Sequence, residues 1–285
     1  MGYSMNSTPA TAEELAQEAS TVAANSKANP KFRHAYVPWL VAVVIIALWW
    51  LVTSVLHLFT PLALPSPQSV AQNLWSIATT GYNGYSLLDN IGASVVRIAV
   101  GFVAAIIIGV PIGFWMASSE LVFNAIDPIL QFLRPIPPLA YIPVMVIWFG
   151  PGQLSKFVLI FFCTIPIIII SAMSGVKNVQ ETRIRVAQVF GANSRQMFRY
   201  VVLPSALPEI FTGMRVGIGI AWTCLVAAEM IAAQSGLGAM ILTAGNELRT
   251  PVVFVGILFI GIIGYLMELL IRTVEGRVIP WKGKA

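Results

Sequence analysis

Long apolar blocks alternate with short polar stretches along this chain. The blocks cover residues 37–58, 91–117, 121–149, 157–173, 210–233 and 252–272. A helix of about 20 apolar residues crosses a bilayer. The spacing therefore predicts about six membrane-spanning helices and an all-α, polytopic membrane protein. The third block is interrupted by RPIPPLAYIP, residues 134–143, where Pro135, Pro137, Pro138 and Pro143 remove backbone N–H donors. That predicts a broken span whose freed carbonyls face protein or water. Asp127-Pro128 reads as a helix start, and SPQS between the first two blocks as the start of a short surface helix. Gly109 and Gly113 in GVPIG, and Gly213 and Gly217 in GMRVG, read as helix-packing notches.

Two polar stretches break this rhythm. Residues 1–33 carry Ala, Ser, Thr and Glu with no apolar run. They read as a mobile cytoplasmic N-terminal segment with one short helix at TAEELAQEAS, ahead of a transmembrane domain over 34–285. The acidic start and the length of the following apolar block do not fit a signal peptide. The second stretch, about 176–205, contains TRIRVAQVFGANSRQMFRYVVLP. Ile184, Ala187, Val189 and Phe190 recur at helical spacing, and Gly191 ends that helix. Ser194 is placed to cap a second short helix, in which Met197, Phe198 and Val201 lie near one face until Pro204 stops it. Apolar side chains on short helices outside the membrane predict docking in the groove of a partner protein.

Composition removes the soluble alternative. Hydrophobic residues make up 57% of the 285 and charged residues 10%, far from the usual balance of a soluble domain. The net charge of +5 is a topology signal, not a nucleic-acid surface, because no basic groove with stacking aromatics accompanies it. Twelve of the 17 Lys and Arg fall in three places: before the first block, in the 176–205 loop and in the last fourteen residues. Residues 57–96 contain none. By the positive-inside rule both termini and the long loop are cytoplasmic.

Little else carries chemistry. Cys163 and Cys224 lie in apolar blocks and His34 and His57 are far apart, so no metal is expected. No His-Glu-x-x-His, Gly-x-Ser-x-Gly or paired intramembrane carboxylates are present, which argues against an intramembrane enzyme. GPGQLSKF, residues 150–157, lacks the closing Gly-Lys-Ser/Thr of a phosphate-binding loop. The absence of an internal repeat disfavours an inverted-repeat carrier.

The long loop resembles the cytoplasmic loop of ABC-type importer permeases. Their pattern is Glu-Ala-Ala, three residues, Gly, nine residues, Ile, one residue, Leu-Pro. Arg185-Val186-Ala187, Gly191, Val201 and Leu203-Pro204 stand in that register, with Arg185 and Val186 in place of Glu and Ala. RPIPPLAYIPVMVIWFG, LPSALPEIFTGMRVGIG, LVAAEMIAAQSGLG and PWKGK are similar to the nitrate/sulfonate/taurine branch of that family, so the likeness covers about residues 35–285.

The resemblance implies a type I importer permease fold, a non-catalytic permease homodimer in the bacterial inner membrane, two copies of a cytoplasmic ATP-binding subunit that holds ATP-Mg, and a periplasmic substrate-binding protein. The implied cargo is a small sulfonate, taurine first, with nitrate, aliphatic sulfonates or bicarbonate as alternatives. A channel or ATP-independent carrier is the alternative from another class. Arg185, Ala187, Gly191, Met197, Phe198, Val201, Leu203 and Pro204 are the expected ATPase-coupling residues. Arg134 and Glu229, charged groups inside apolar blocks, are the candidate pathway residues together with Pro137 and Pro138. A guanidinium suits an oxyanion cargo. Glu229 reads equally as a structural partner of Arg134 or Arg215.

Overall fold

A computed structural model describes residues 36–281. The expectations for residues 1–33 and for Lys282 and Lys284 lie outside the described residues. Among the described residues every regular element is a helix. The chain divides into two units, one ending at Leu58 and one starting at Phe59.

The first unit contains α1, Val37–Trp50, which continues as a π-helical turn over Leu51–Val55. In that turn the Thr53 hydroxyl donates to the Trp49 carbonyl at 2.7 Å. Trp39, Val43 and Ile45 are exposed. A helix apolar all round needs lipid or another apolar surface.

The second unit begins with α2, Pro67–Thr80, capped by Ser66 as SPQS suggested. The long helix α3, Leu87–Ser118, opens with a capping box between Ser86 and Asp89. The third apolar block becomes two helices, α4, Glu120–Leu133, and α5, Ile142–Phe149, with a 3-10 turn over Pro138–Tyr141 between them. The two halves are bent by 95°, so the proline-rich break is a corner rather than a kink. Pro128 lies inside α4 and does not begin a helix; Ser119 caps that helix instead.

Next come α6, Gln153–Lys177, and α7, Glu181–Val189, followed by α8, Ser194–Met197. A π-helical turn over Phe198–Val202 carries α8 without a stop into α9, Leu203–Ala232. Pro204 therefore does not end the helix. Its missing N–H falls in the first turn of α9, next to a turn already widened by one residue. The remaining helices are α10, Leu237–Asn246, and α11, Thr250–Val278.

Four apolar stretches are long enough to cross a membrane without interruption: Leu87–Ser118, Gln153–Lys177, Ser194–Ala232 and Thr250–Val278. The bent α4–α5 pair makes a fifth if counted as one span, and α1 is a shorter apolar helix. All six apolar blocks are thus helical, but one turns a right-angled corner. Helix α10, too short to cross, was not anticipated.

The core centres on α6, which packs between α3 and α9. Ile160 and Ile168 of α6, Ile98 and Ala105 of α3, and Ala221 and Leu225 of α9 are fully buried. The glycine notches are where the backbones meet: a Cβ on Gly113 would lie 2.5 Å from the Ile169 carbonyl oxygen, and one on Gly213 would collide with Ser171. Lipid supplies no hydrophobic drive between helices, so such close approach holds the bundle together.

Candidate functional site

Three places in the second unit hold the chemistry, two of them at opposite ends of α6. After the C-terminal end of α6, α7 and α8 form a hairpin. Helix α7 closes with a Schellman motif. The Ala192 N–H donates to the Ala187 carbonyl at 3.0 Å and the Gly191 N–H to that of Gln188 at 2.9 Å. Gly191 has φ +74° and open space around it, so the position requires Gly for its backbone conformation, not for room. The cap of α8 is Asn193, not Ser194. Its side chain accepts from the Gln196 N–H, and the Gln196 side chain accepts from the Asn193 N–H, both at 2.9 Å.

The expected coupling residues separate here. Arg185 is exposed and paired with Glu181 one turn earlier, at 2.8 Å. Ala187, Met197, Val201, Leu203 and Pro204 are half-buried. Phe198 meets Phe114 of α3 edge to face, ring centroids 5.3 Å apart, so part of its apolar surface serves the chain's own packing. The most exposed apolar side chains of the hairpin are Val189 and Phe190, each 85% exposed, and Tyr200 is exposed in the π-helical turn that follows. Val189 and Phe190 line a shallow cavity of about 420 Å³ on α7 with Val186 and Arg185.

At half the height of α6 and α9 lies a cavity of about 410 Å³ whose lining includes Arg134, Pro138, Tyr141, Cys163, Pro166 and Ser171. The corner after α4 creates it. Arg134 stands at the C-cap of α4 and is exposed. Tyr141 packs edge to face on Phe162, and its buried hydroxyl has no hydrogen-bond partner among the described residues. The site thus holds Arg134 and Pro138, with Pro137 beside it as the cap of the 3-10 turn. Cys163 and Cys224 are free thiols in one buried cluster with Ile142 and Met145.

Glu229 is elsewhere, and its partner is neither Arg134 nor Arg215. Arg215 pairs with Glu275 at 2.8 Å, tying α9 to α11. Glu229, fully buried, accepts from Arg97 Nη1 at 2.5 Å, from the Ser94 hydroxyl at 2.8 Å and from the Gly238 N–H at 2.9 Å. Those donors come from α3 and α10, so one carboxylate joins three helices. Ser94 Oγ also accepts the Leu237 N–H at 3.0 Å, and Asn90 Oδ1 accepts the Gly236 N–H at 2.8 Å. Gly236 has φ +122°, and a Cβ there would strike the Glu229 carboxyl group; only Gly fits this close approach.

Arg97 extends the network. Its Nε donates to Gln153 Oε1 at 2.6 Å and its Nη1 to the Ser235 carbonyl at 2.7 Å. Beside it the buried Lys156 ammonium donates to the carbonyls of Pro151, Gly152 and Ala232 at 2.7–2.9 Å. This saturates the Lys and closes the C-terminal end of α9. Sequence reasoning missed Arg97. The available signal was the match of a lone cation in block 91–117 to the one acid in block 210–233.

The helical fold packed around α6 agrees with comparison to known proteins. Residues 109–280 match the family described as binding-protein-dependent transport system inner membrane component. The chain belongs to that family. As such a permease it shares 46% identity over 242 residues with the taurine transport system permease protein TauC of Escherichia coli (strain K12), covering 85% of this chain and 88% of TauC. It is 34% identical over 226 residues to the nitrate import permease protein NrtB of Synechocystis sp. (strain ATCC 27184 / PCC 6803 / Kazusa), covering 78% of this chain and 82% of NrtB.

The permease fold also superposes on a chain of the inward-facing methionine ABC transporter MetNI with a TM-score of 0.59 at 18% identity, covering 67% of this chain and 95% of that one. The chain is a permease subunit of an ABC importer with the type I fold.

Proposed function

We propose that this permease carries a small sulfonate, taurine first, across the bacterial inner membrane by alternating access. It works as a homodimer with two cytoplasmic ATPase subunits and a periplasmic binding protein. The observation that carries the ATP-driven reading is the exposed apolar tip of the α7–α8 hairpin. Val189, Phe190 and Tyr200 face solvent at the end of the bundle that the charge pattern assigns to the cytoplasm. Burying one such side chain in a partner's groove contributes about 1.5–3 kcal/mol. The identity to the taurine permease supports the cargo.

ATP-Mg belongs to the partner ATPase and supplies the driving reaction; this chain is non-catalytic. Gly191 sets the angle between α7 and α8, the widened turn at Phe198–Val202 joins the hairpin to α9, and Phe198 bears on α3. Motion of the ATPase therefore passes to two of the three core helices as a rigid-body displacement. Met197, Val201, Leu203 and Pro204 lie along that lever. We place the pathway at the cavity of Arg134 and Pro138, where the guanidinium offers planar donors to a sulfonate. Glu229, held by three donors, Arg97, Ser94 and the Gly238 N–H, is assigned to holding α3, α9 and α10 together, not to the pathway.

The test is ATP-dependent uptake into vesicles holding the permease and its ATPase, with taurine, alkanesulfonates and nitrate supplied in turn with a binding protein for each. Uptake of taurine alone is expected. Uptake of nitrate instead discards the cargo and keeps the importer, whereas ATP-independent flux overturns the docking role of the hairpin.

A further inference from the structure

A third cavity, of about 600 Å³, opens at the end of α6 opposite the hairpin. Its size is in the range of small-molecule sites. Its wall is formed by Arg97, Gln153, Lys156, Tyr85, Gln234 and Ser235 with the backbone of the first turn of α6. Three features make it electropositive. Arg97 and Lys156 are 2% and 3% exposed, so their charges act with little water between them and the cavity. Among the described residues no carboxylate lines the wall, and Glu229 is tied to Arg97 behind it. The N-terminus of the 25-residue α6 has no side-chain cap, so its first N–H groups add partial positive charge.

Arg97 also has capacity to spare. Its hydrogen bonds to Gln153, Glu229, the Ser235 carbonyl and the Ser235 hydroxyl use four of its five N–H groups. The last of these is long, at 3.4 Å, and one N–H has no partner among the described residues. A buried guanidinium with a free donor on a cavity wall is a built anion receptor.

We propose that this cavity is an oxyanion site that receives the sulfonate group of the cargo on the outer side, before it reaches Arg134. The proposal rests on the importer reading above and on the charge pattern that places this end outside. Taurine and nitrate, the cargoes in the names of two relatives, share an oxyanion and little else, and the cavity recognises the shared part.

The experiment uses the permease–ATPase complex in nanodiscs without a binding protein, titrated with taurine, inorganic sulfate and, as a cation control, choline. Saturable binding of taurine competed by sulfate, and none of choline, is expected. Gln153→Glu, which sets a carboxylate against Arg97, should weaken it about tenfold. Gln234 is exposed on the cavity mouth, so its variants do not endanger folding. Gln234→Glu should weaken binding about threefold and Gln234→Lys tighten it about threefold.

Binding that ignores Gln153 and Gln234 substitutions, or that vanishes in Arg134→Ala alone, overturns the proposal. Vesicle uptake run in parallel separates the two levels. A wild type that transports no oxyanion removes the proposed sulfonate cargo and this site with it. A wild type that transports normally but binds no anion at this cavity removes only the site.

Discussion

The two ends of α6 invert each other. At one end charge is buried: Arg97, Lys156 and Glu229 are each less than 4% exposed and tied to partners from four helices. At the other end oil is exposed: Val189 and Phe190 stand 85% open to solvent. Burying ions is expensive unless they are paired and hydrogen-bonded, and exposing large apolar groups forgoes their burial. The first end resolves its expense within the chain. The second leaves it unresolved until a partner arrives. The difference separates a joint, whose residues satisfy one another, from an interface, whose residues are completed elsewhere.

Substitutions sharpen this contrast, and the largest effect is expected at the joint. Glu229→Met leaves Arg97 as an uncompensated buried charge and should destabilise the detergent-solubilised chain by about 3–5 kcal/mol, read as a fall in its unfolding midpoint. The double variant Arg97→Met/Glu229→Met should recover much of that loss; equal loss in both would show that hydrogen bonds rather than charge dominate the joint.

Gly236→Ala comes next, at roughly 2–4 kcal/mol, because its Cβ collides with the Glu229 carboxyl group in a left-handed backbone. At the hairpin, Gly191→Ala should cost only about 1 kcal/mol, since φ +74° is strained for Ala but the space is open. Asn at that position should cost less.

The smallest effect on stability belongs to Phe190→Ser, within about 0.5 kcal/mol. Its docking to the ATPase should nevertheless weaken about tenfold or more, read by co-purification and by uptake per ATP hydrolysed. A Phe190→Ser chain that couples normally would shift the interface to Tyr200 and the Phe198 turn. Phe198→Asp is a poorer probe, because it also breaks the contact with Phe114.

Local rules were enough for much of the fold. The apolar blocks became helices because a chain in lipid must satisfy its backbone within each segment. Gly191 ended α7, and Ser66 began α2, because caps act within a few residues. Local reading failed where two local solutions compete. Asn193 with Gln196 makes a reciprocal capping box that Ser194 lacks. Pro204 stands where a new helix tolerates proline, so the chain ran on.

The sequence by itself determined the helices, the polar hairpin with its exposed apolar residues, and the charge bias between loops. All of these follow from interactions spanning a few residues or from the bilayer as solvent. Only the tertiary structure decided the 95° corner that forms the Arg134 cavity, the position of α10 and the choice of Arg97 as the partner of Glu229 across 132 positions of chain. Arg134 and Arg215 carry the same guanidinium, so composition cannot rank the three. The glycine notches do, by setting which faces of α3, α6 and α9 meet and so which charges are buried side by side.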